Sequence, residues 1–104
     1  MSKEGLKFSD KVLEELRDPE FAALYLNEHL DYEGELKQEL LLQAFSNLIE
    51  AHGASQLAKK TKIARRTLYS AFEENGNPTL ATLIKLMSEI GVTLEFKHKI
   101  KKAN

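Results

Sequence analysis

Residues 55–72, which read SQLAKKTKIARRTLYSAF, decide the fold of this 104-residue chain. Their apolar spacing predicts two short helices separated by a tight turn at residues 62–64. Ala58 is small enough for the two helices to approach closely, and Ile63 and Leu68 are expected to anchor the unit in the core. This skeleton is typical of a helix-turn-helix, whose second helix enters the major groove of double-stranded DNA.

The start of the second helix departs from what stability alone would favour. Ala64 stands at the N-cap, where Ser, Thr, Asp or Asn is preferred. Arg65 and Arg66 then place two cations at the positive end of the helix dipole. Each cation there destabilises the helix by roughly 0.3–1 kcal/mol. Cations beside unpaired helical amides attract phosphate groups and guanine edges, so this departure indicates a functional site. The alternative is that both arginines are solvated surface side chains.

Charge is divided unequally between the two halves of the chain. Residues 1–52 contain five Lys/Arg and twelve Asp/Glu, a net charge of −7, whereas residues 53–104 contain ten and four, a net charge of +6. The sum is the overall charge of −1. The basic half is expected to face a polyanion. The alternative is that the two halves only match each other's charge within the molecule.

The composition argues against several classes of function. Without cysteine, the chain can form no disulfide, no thiolate metal site and no cysteine nucleophile. Its apolar runs are far shorter than the roughly 20 residues that span a bilayer, so a cytoplasmic protein is expected. His29, His52 and His98 are scattered without the spacing of metal ligands, and no nucleophile elbow is present. We therefore expect no enzyme, no metal and no cofactor.

The remaining sequence predicts a mainly α-helical fold. Outside residues 55–72, apolar residues recur at helical spacing in four further segments. Asp18-Pro19 marks a helix start, and Gly53 and Gly91 mark helix ends. The predicted helices cover residues 9–16, 19–30 with Asp18 as N-cap, 36–52, 55–61, 65–75 and 80–90.

The tail changes from a helical to an alternating pattern. Val92, Leu94 and Phe96 alternate with polar residues, which is typical of a half-buried strand. A lone strand needs a partner. Two alternatives are open: pairing with the same strand of a second subunit, or an extended coil packed on the helices.

Several short motifs are shared with a known family. They are Asp18-Pro19-Glu20, Tyr25-Leu26-Asn27, Gly53-Ala54-Ser55-Gln56-Leu57-Ala58, Leu68-Tyr69, Glu74-Asn75-Gly76-Asn77-Pro78, Leu83 and Gly91-Val92. Over residues 16–96 the sequence resembles the helix-turn-helix domain of phage-repressor-type regulators. It is more similar still to addiction-module antidote proteins, relatives of the HigA-like antitoxins.

The resemblance implies a mainly α, phage-repressor-like fold of five to six helices, with the helix-turn-helix DNA-binding domain at residues 35–92. An acidic helical extension at residues 1–34 would precede it, and a short strand with a basic tail at residues 93–104 would follow. The DNA-binding residues implied are Arg65, Arg66 and Ser70 facing the bases, Thr67 and Tyr69 nearby, and Ser55 and Gln56 at the DNA backbone. Lys62 stands where the family has glycine, so it must adopt a strained left-handed conformation or the turn must differ.

The resemblance also implies a function, which is a dimeric autorepressor that neutralises a toxin. The toxin would be RelE/HigB-like, a small basic ribonuclease encoded beside this chain, and the acidic first half offers it a complementary surface. Two alternatives are kept: an orphan or phage-type repressor without a toxin, and a helical protein-interaction module that does not touch DNA.

Overall fold

The computed structural model describes residues 8–31 and 34–100, and these residues form six α-helices and no strand. In chain order the helices are α1 (Asp10–Leu16), α2 (Pro19–Leu30), α3 (Lys37–His52), α4 (Ala54–Thr61), α5 (Arg65–Phe72) and α6 (Leu80–Ile90). The predicted mainly α-helical class is therefore confirmed, whereas the phage-repressor fold and the domain division at residues 34 and 92 stay predictions.

Helix α3 is the scaffold on which most other helices pack. It contacts α1 and α2 on the N-terminal side of the sequence and α4 and α5 on the C-terminal side, while α6 packs against α4. The fully buried Leu48 lies on α3, and the ring of Phe45 lies 5.6 Å from that of Phe72 on α5. One hydrophobic core thus contains Leu16, Ala22 and Leu26 of the first two helices together with side chains of all the later ones.

Three contacts fasten the first two helices to the remainder. The Arg17 Nε donates a 2.8 Å hydrogen bond to the Ala51 carbonyl near the end of α3. The Asn47 side-chain amide donates a 2.8 Å bond to the Tyr25 hydroxyl. At Gly91 a Cβ would lie 3.0 Å from the Pro19 ring, so the end of α6 packs closely on the start of α2. The positive φ of 98° at this glycine also suits a residue without a side chain.

The helix ends follow the expected local chemistry in part. Ser9 caps α1 by accepting from the Val12 amide at 3.3 Å, and Thr79 caps α6. Asp18 occupies the N-cap of α2 as predicted, but its side chain makes no cap hydrogen bond. Gly53 has a positive φ of 92° with ψ of 115°, outside the left-handed helical region, because it ends α3 and begins α4 at once.

The predicted end of α5 is wrong. We expected residues 65–75, but α5 ends at Phe72. Glu73 is extended and Asn75 has a φ of 65°, so the backbone turns sharply. Gly76 is buried in this turn, where a Cβ would lie only 2.3 Å from the Ala71 carbonyl oxygen.

The described part of the tail, residues 92–100, is neither helix nor strand, so the predicted strand is not seen in the single chain. Lys101 and Lys102 of the predicted basic tail lie outside the described residues, as do residues 1–7 and 32–33. Within the described ranges no helix is long and apolar enough to cross a bilayer.

Candidate nucleic-acid interface

The turn between α4 and α5 is tight and places a lysine in the left-handed conformation. Lys62 has φ 63° and ψ 24°, and its amide donates a 2.9 Å bond to the Ala58 carbonyl. A non-glycine residue in this conformation costs about 1–2 kcal/mol. Of the two alternatives left by the sequence, the left-handed lysine is therefore the one adopted.

Thr61 fixes this turn, and sequence reasoning missed it. Its side chain is buried, and its hydroxyl donates a 2.6 Å bond to the Leu57 carbonyl while accepting from the Ile63 amide at 3.2 Å. The signal was available, since a threonine at a helix end often bonds to nearby backbone groups. Because Thr61 satisfies polar groups on both sides of Lys62, it holds α5 at a defined angle to α4.

Apolar anchors hold the inner faces of both helices. Leu57, Ile63, Leu68 and Phe72 are buried in the core, as the spacing predicted for Ile63 and Leu68. Ala58 is half-buried against the same core. The opposite faces are consequently the ones left to solvent.

The first turn of α5 presents unpaired backbone amides. Ala64 occupies the N-cap with φ −57° and ψ 141°, and no side chain caps this end of the helix. First-turn amides have no acceptor within a helix, so those of Arg65 to Thr67 are open to an external one. The start of α4 also lacks a side-chain cap, because its N-cap is Gly53. Two helix N-termini in this unit can therefore receive an anion.

All seven predicted DNA-binding residues are exposed. They are Ser55 and Gln56 on α4, and Arg65, Arg66, Thr67, Tyr69 and Ser70 on α5. The Arg65 guanidinium lies 5.2 Å from the centre of the Tyr69 ring, with Nη2 3.4 Å from the hydroxyl. The Ser70 hydroxyl bonds back to the Thr67 carbonyl at 3.4 Å.

A surface depression joins the two helices of the unit. Ser55 and Arg65 both line it, so the structure brings these two predicted residues together across the turn. Lys59 and Lys62 line it as well, and neither was among the predicted site residues. Both were visible in the sequence as cations flanking the turn. The remaining predicted residues lie outside this depression.

The unit is strongly basic. Residues 54–72 contain five cations and no carboxylate. Within the described ranges an ion pair joins Lys60 to Glu89, with Nζ 3.7 Å from the carboxylate, while neither Arg65 nor Arg66 pairs with an acid. The two arginines are thus exposed and available to an outside partner.

The first two helices carry the opposite charge. Residues 8–31 contain seven carboxylates and two cations. A groove between α1 and α2 is lined by Lys11, Glu14, Glu15, Asp18 and Phe21. We call this surface the acidic groove. Within the described residues no group of histidine and acidic side chains is arranged to hold a metal ion.

Comparison with known proteins assigns the family. A family model described as "Probable addiction module antidote protein" matches residues 7–98. An uncharacterized protein of Haemophilus influenzae (strain Rd) is 39% identical over 95 residues, which cover 91% of this chain and 94% of that protein. No solved structure matches the chain significantly. The predicted antitoxin class is supported at this level, whereas kinship with HigA-like antitoxins stays a prediction. The chain belongs to the family of probable addiction module antidote proteins.

Proposed function

We propose that this chain is a DNA-binding antitoxin that represses its own operon and neutralises a RelE/HigB-like toxin. The observation that carries the DNA-binding part is the exposed Arg65–Arg66 pair on the uncapped first turn of α5. Nothing in the interior requires two cations at this position, and the local helix energetics oppose them. A negatively charged ligand would reverse that balance.

Helix α5 is the proposed recognition helix. Entering the major groove by its N-terminus, it would bring the two guanidinium groups to the base edges, where arginine pairs with guanine O6 and N7. Ser55 and Gln56 at the start of α4 would contact backbone phosphates together with the free amides there. Lys59 and Lys62 line the depression beside Arg65 and would add phosphate contacts.

The proposed regulator is a homodimer. A single small DNA-binding module buries little surface, so specificity usually comes from two half-sites. Helix-turn-helix dimers read half-sites about one helical turn, or about 34–36 Å, apart. An operator with two-fold symmetry at this spacing is therefore expected upstream of the gene.

The DNA-binding proposal is tested with a duplex from the chain's own upstream region. Replacing Arg65 and Arg66 by alanine, singly and together, is expected to lose about 1–3 kcal/mol of binding free energy for each arginine that reads a base. Lys85→Ala on the exposed surface of α6 is the matched control and should bind like the wild type. Binding should also weaken linearly in a log–log plot against salt concentration. Wild-type affinity in the double variant would reject the DNA-reading role and favour the protein-interaction module.

The acidic groove is the proposed toxin-binding surface. Three acids against the single cation Lys11 complement a basic partner, and Phe21 with the 62%-exposed Leu24 adds apolar area beside them. Polyanionic DNA is repelled from this surface, which leaves a protein as its ligand. The family membership makes a toxin the natural partner.

Toxin binding is tested by co-purification with the product of the neighbouring open reading frame, followed by affinity measurement. Glu14→Lys with Glu15→Lys is expected to raise the dissociation constant about tenfold, or about 1.4 kcal/mol. Glu73→Lys with Glu74→Lys is the matched control, because it reverses another exposed adjacent pair at the end of α5. Equal effects of the two reversals would reject the acidic groove as the binding surface. If no neighbouring gene encodes a basic partner while operator binding holds, the orphan-repressor alternative is the correct one.

A further inference from the structure

The tail after α6 exposes an alternating apolar face to solvent. Val92 packs against the core, but Leu94, Phe96 and Ile100 are 50%, 90% and 88% exposed. Their side chains occupy even positions, while Thr93 and other polar residues occupy the odd ones. The extended coil packed on the helices, which the sequence left open, therefore does not describe residues 94–100. The alternation is the pattern of a strand, and an isolated strand lacks hydrogen-bonding partners for its backbone.

We propose that residues 92–100 form a β-strand that pairs antiparallel with the same segment of a second copy, with the two-fold axis at Phe96. This proposal rests on the proposed function, in which two copies bind one operator. It assigns residues 92–100 as the surface through which the two copies dimerise. Self-pairing is favoured because a two-fold axis at Phe96 makes the segment its own complement.

Charge pairing selects this register among the symmetric ones. With the axis at Phe96, Glu95 of each strand lies opposite Lys97 of the other, and Thr93 lies opposite Lys99. An axis at residue 95 would set Glu95 against its own copy, and one at residue 97 would do the same for Lys97. An axis between two residues would set apolar positions opposite polar ones.

The apolar face of the paired strands also has a surface on which to pack. A two-stranded ribbon alone is marginal in water and needs helix packing for stability. Leu80 and Ile84 lie one turn apart on α6 and are 65% and 48% exposed. They supply apolar area on the same helix from which the tail emerges.

The absence of cysteine from the chain allows a direct test of the register. In Phe96→Cys the two thiols would face each other across the axis, within the Cα separation that a disulfide accepts. Leu94→Cys is the matched control, because residue 94 would lie opposite His98 and too far from its own copy. Both sites are at least half exposed, so the fold should tolerate either change. We expect oxidation to give a covalent dimer of the full chain with Phe96→Cys only. Equal cross-linking of the two variants, or of neither, would overturn the pairing.

Exchanging the charges of residues 95 and 97 tests the same pairing through the dimer dissociation constant. Glu95→Lys or Lys97→Glu alone creates two like-charge contacts and is expected to raise the dimer dissociation constant about tenfold in sedimentation equilibrium. The double exchange restores both contacts and should return the constant to near the wild-type value. A purely monomeric wild type, or no rescue in the double variant, would overturn the proposal. Operator binding is measured separately on the same variants, so loss of the tail interface and failure of the DNA-binding role are distinguishable.

Discussion

The helix pair α1–α2 and the helix pair α4–α5 pack on the same scaffold helix but present opposite charge. Residues 8–31 contain seven carboxylates and two cations, whereas residues 54–72 contain five cations and no acid. Both pairs contribute leucines to one core, for example Leu16 and Leu68. The interior therefore distinguishes the two regions very little. The surface charge does, and it is the surface charge that selects a partner.

The two pairs also differ in how far they obey local rules. Helix α1 has a serine cap and α2 begins with Pro19 at its first position, both favourable arrangements. No side-chain cap hydrogen bond is made at α2, α4 or α5, but the α4–α5 pair adds a left-handed residue, Lys62, in its turn and two cations, Arg65 and Arg66, in the first turn of α5. Locally unfavourable features that concentrate in one exposed region are expected where an external ligand supplies the missing interactions.

The largest expected effect tests whether the acidic pair is part of the common core or a detachable arm. Leu16 is 1% exposed, so Leu16→Ala should lower the free energy of unfolding by about 2–5 kcal/mol. Because Leu16 belongs to the core that α4 and α5 share, operator binding should be lost in the same urea transition. Circular dichroism and DNA binding, followed together across the titration, provide the measurement.

Leu24→Ala is the control for that experiment, because it deletes the same atoms at a position that is 62% exposed. Its unfolding free energy should stay within about 0.5 kcal/mol of the wild type. Two separate transitions in Leu16→Ala, with DNA binding surviving the first, would show that the acidic pair is an independent unit.

Substitutions at Ala64, at the start of α5, should change fold stability and operator binding in opposite directions, with a smaller effect than Leu16→Ala. Ala64 already has the backbone conformation of an N-cap, so Ala64→Ser and Ala64→Asp should each stabilise the fold by about 1 kcal/mol. The aspartate also places a negative charge at the helix end that is proposed to enter the major groove, so repulsion from the DNA polyanion should weaken operator binding about tenfold. Serine adds no charge and should weaken binding less. Wild-type affinity in Ala64→Asp would argue that no phosphate approaches this helix end.

Local signals predicted most of the helix bounds, and the clearest error comes from a close backbone approach just after α5. Thr61 and Ile90 end their helices where periodicity and the following residues indicate. The end of α5 was predicted three residues too late, because the constraint is the close approach of Gly76 to the Ala71 carbonyl. That approach depends on how the turn folds back, which no pattern of apolar residues reveals.

The candidate site shows the same division. The exposure of Arg65 and Arg66 follows from their lying off the buried stripe that contains Leu68. Ser55 and Arg65 line the same depression because of the angle at which α4 and α5 cross. The sequence alone does not give that angle and could imply the proximity only through a family resemblance. The roles of these residues toward DNA stay predictions until the operator is tested.

The smallest expected effect lies at the junction of the two regions. His52 ends α3, and its Nε2 is buried without a hydrogen-bond partner. Burial lowers the pKa of His52 below 6.5, and the cations Arg17 and Lys60 lower it further against the opposing effect of Glu89. Arg17 belongs to the acidic side of the molecule, while Lys60 and Glu89 form the ion pair between α4 and α6.

The sign of the pH dependence follows from this lowered pKa. Between the native pKa and 6.5 the unfolded chain binds a proton at His52 that the native chain does not, so the contribution of His52 to stability falls as the pH decreases below 6.5. His52→Gln should therefore reduce the loss of stability between pH 7.5 and pH 5.5 in urea titrations. An unaltered pH slope in His52→Gln would mean that groups elsewhere carry the acid sensitivity. A reduced slope would show that protonating this buried imidazole, beside the cations Arg17 and Lys60, destabilises the fold.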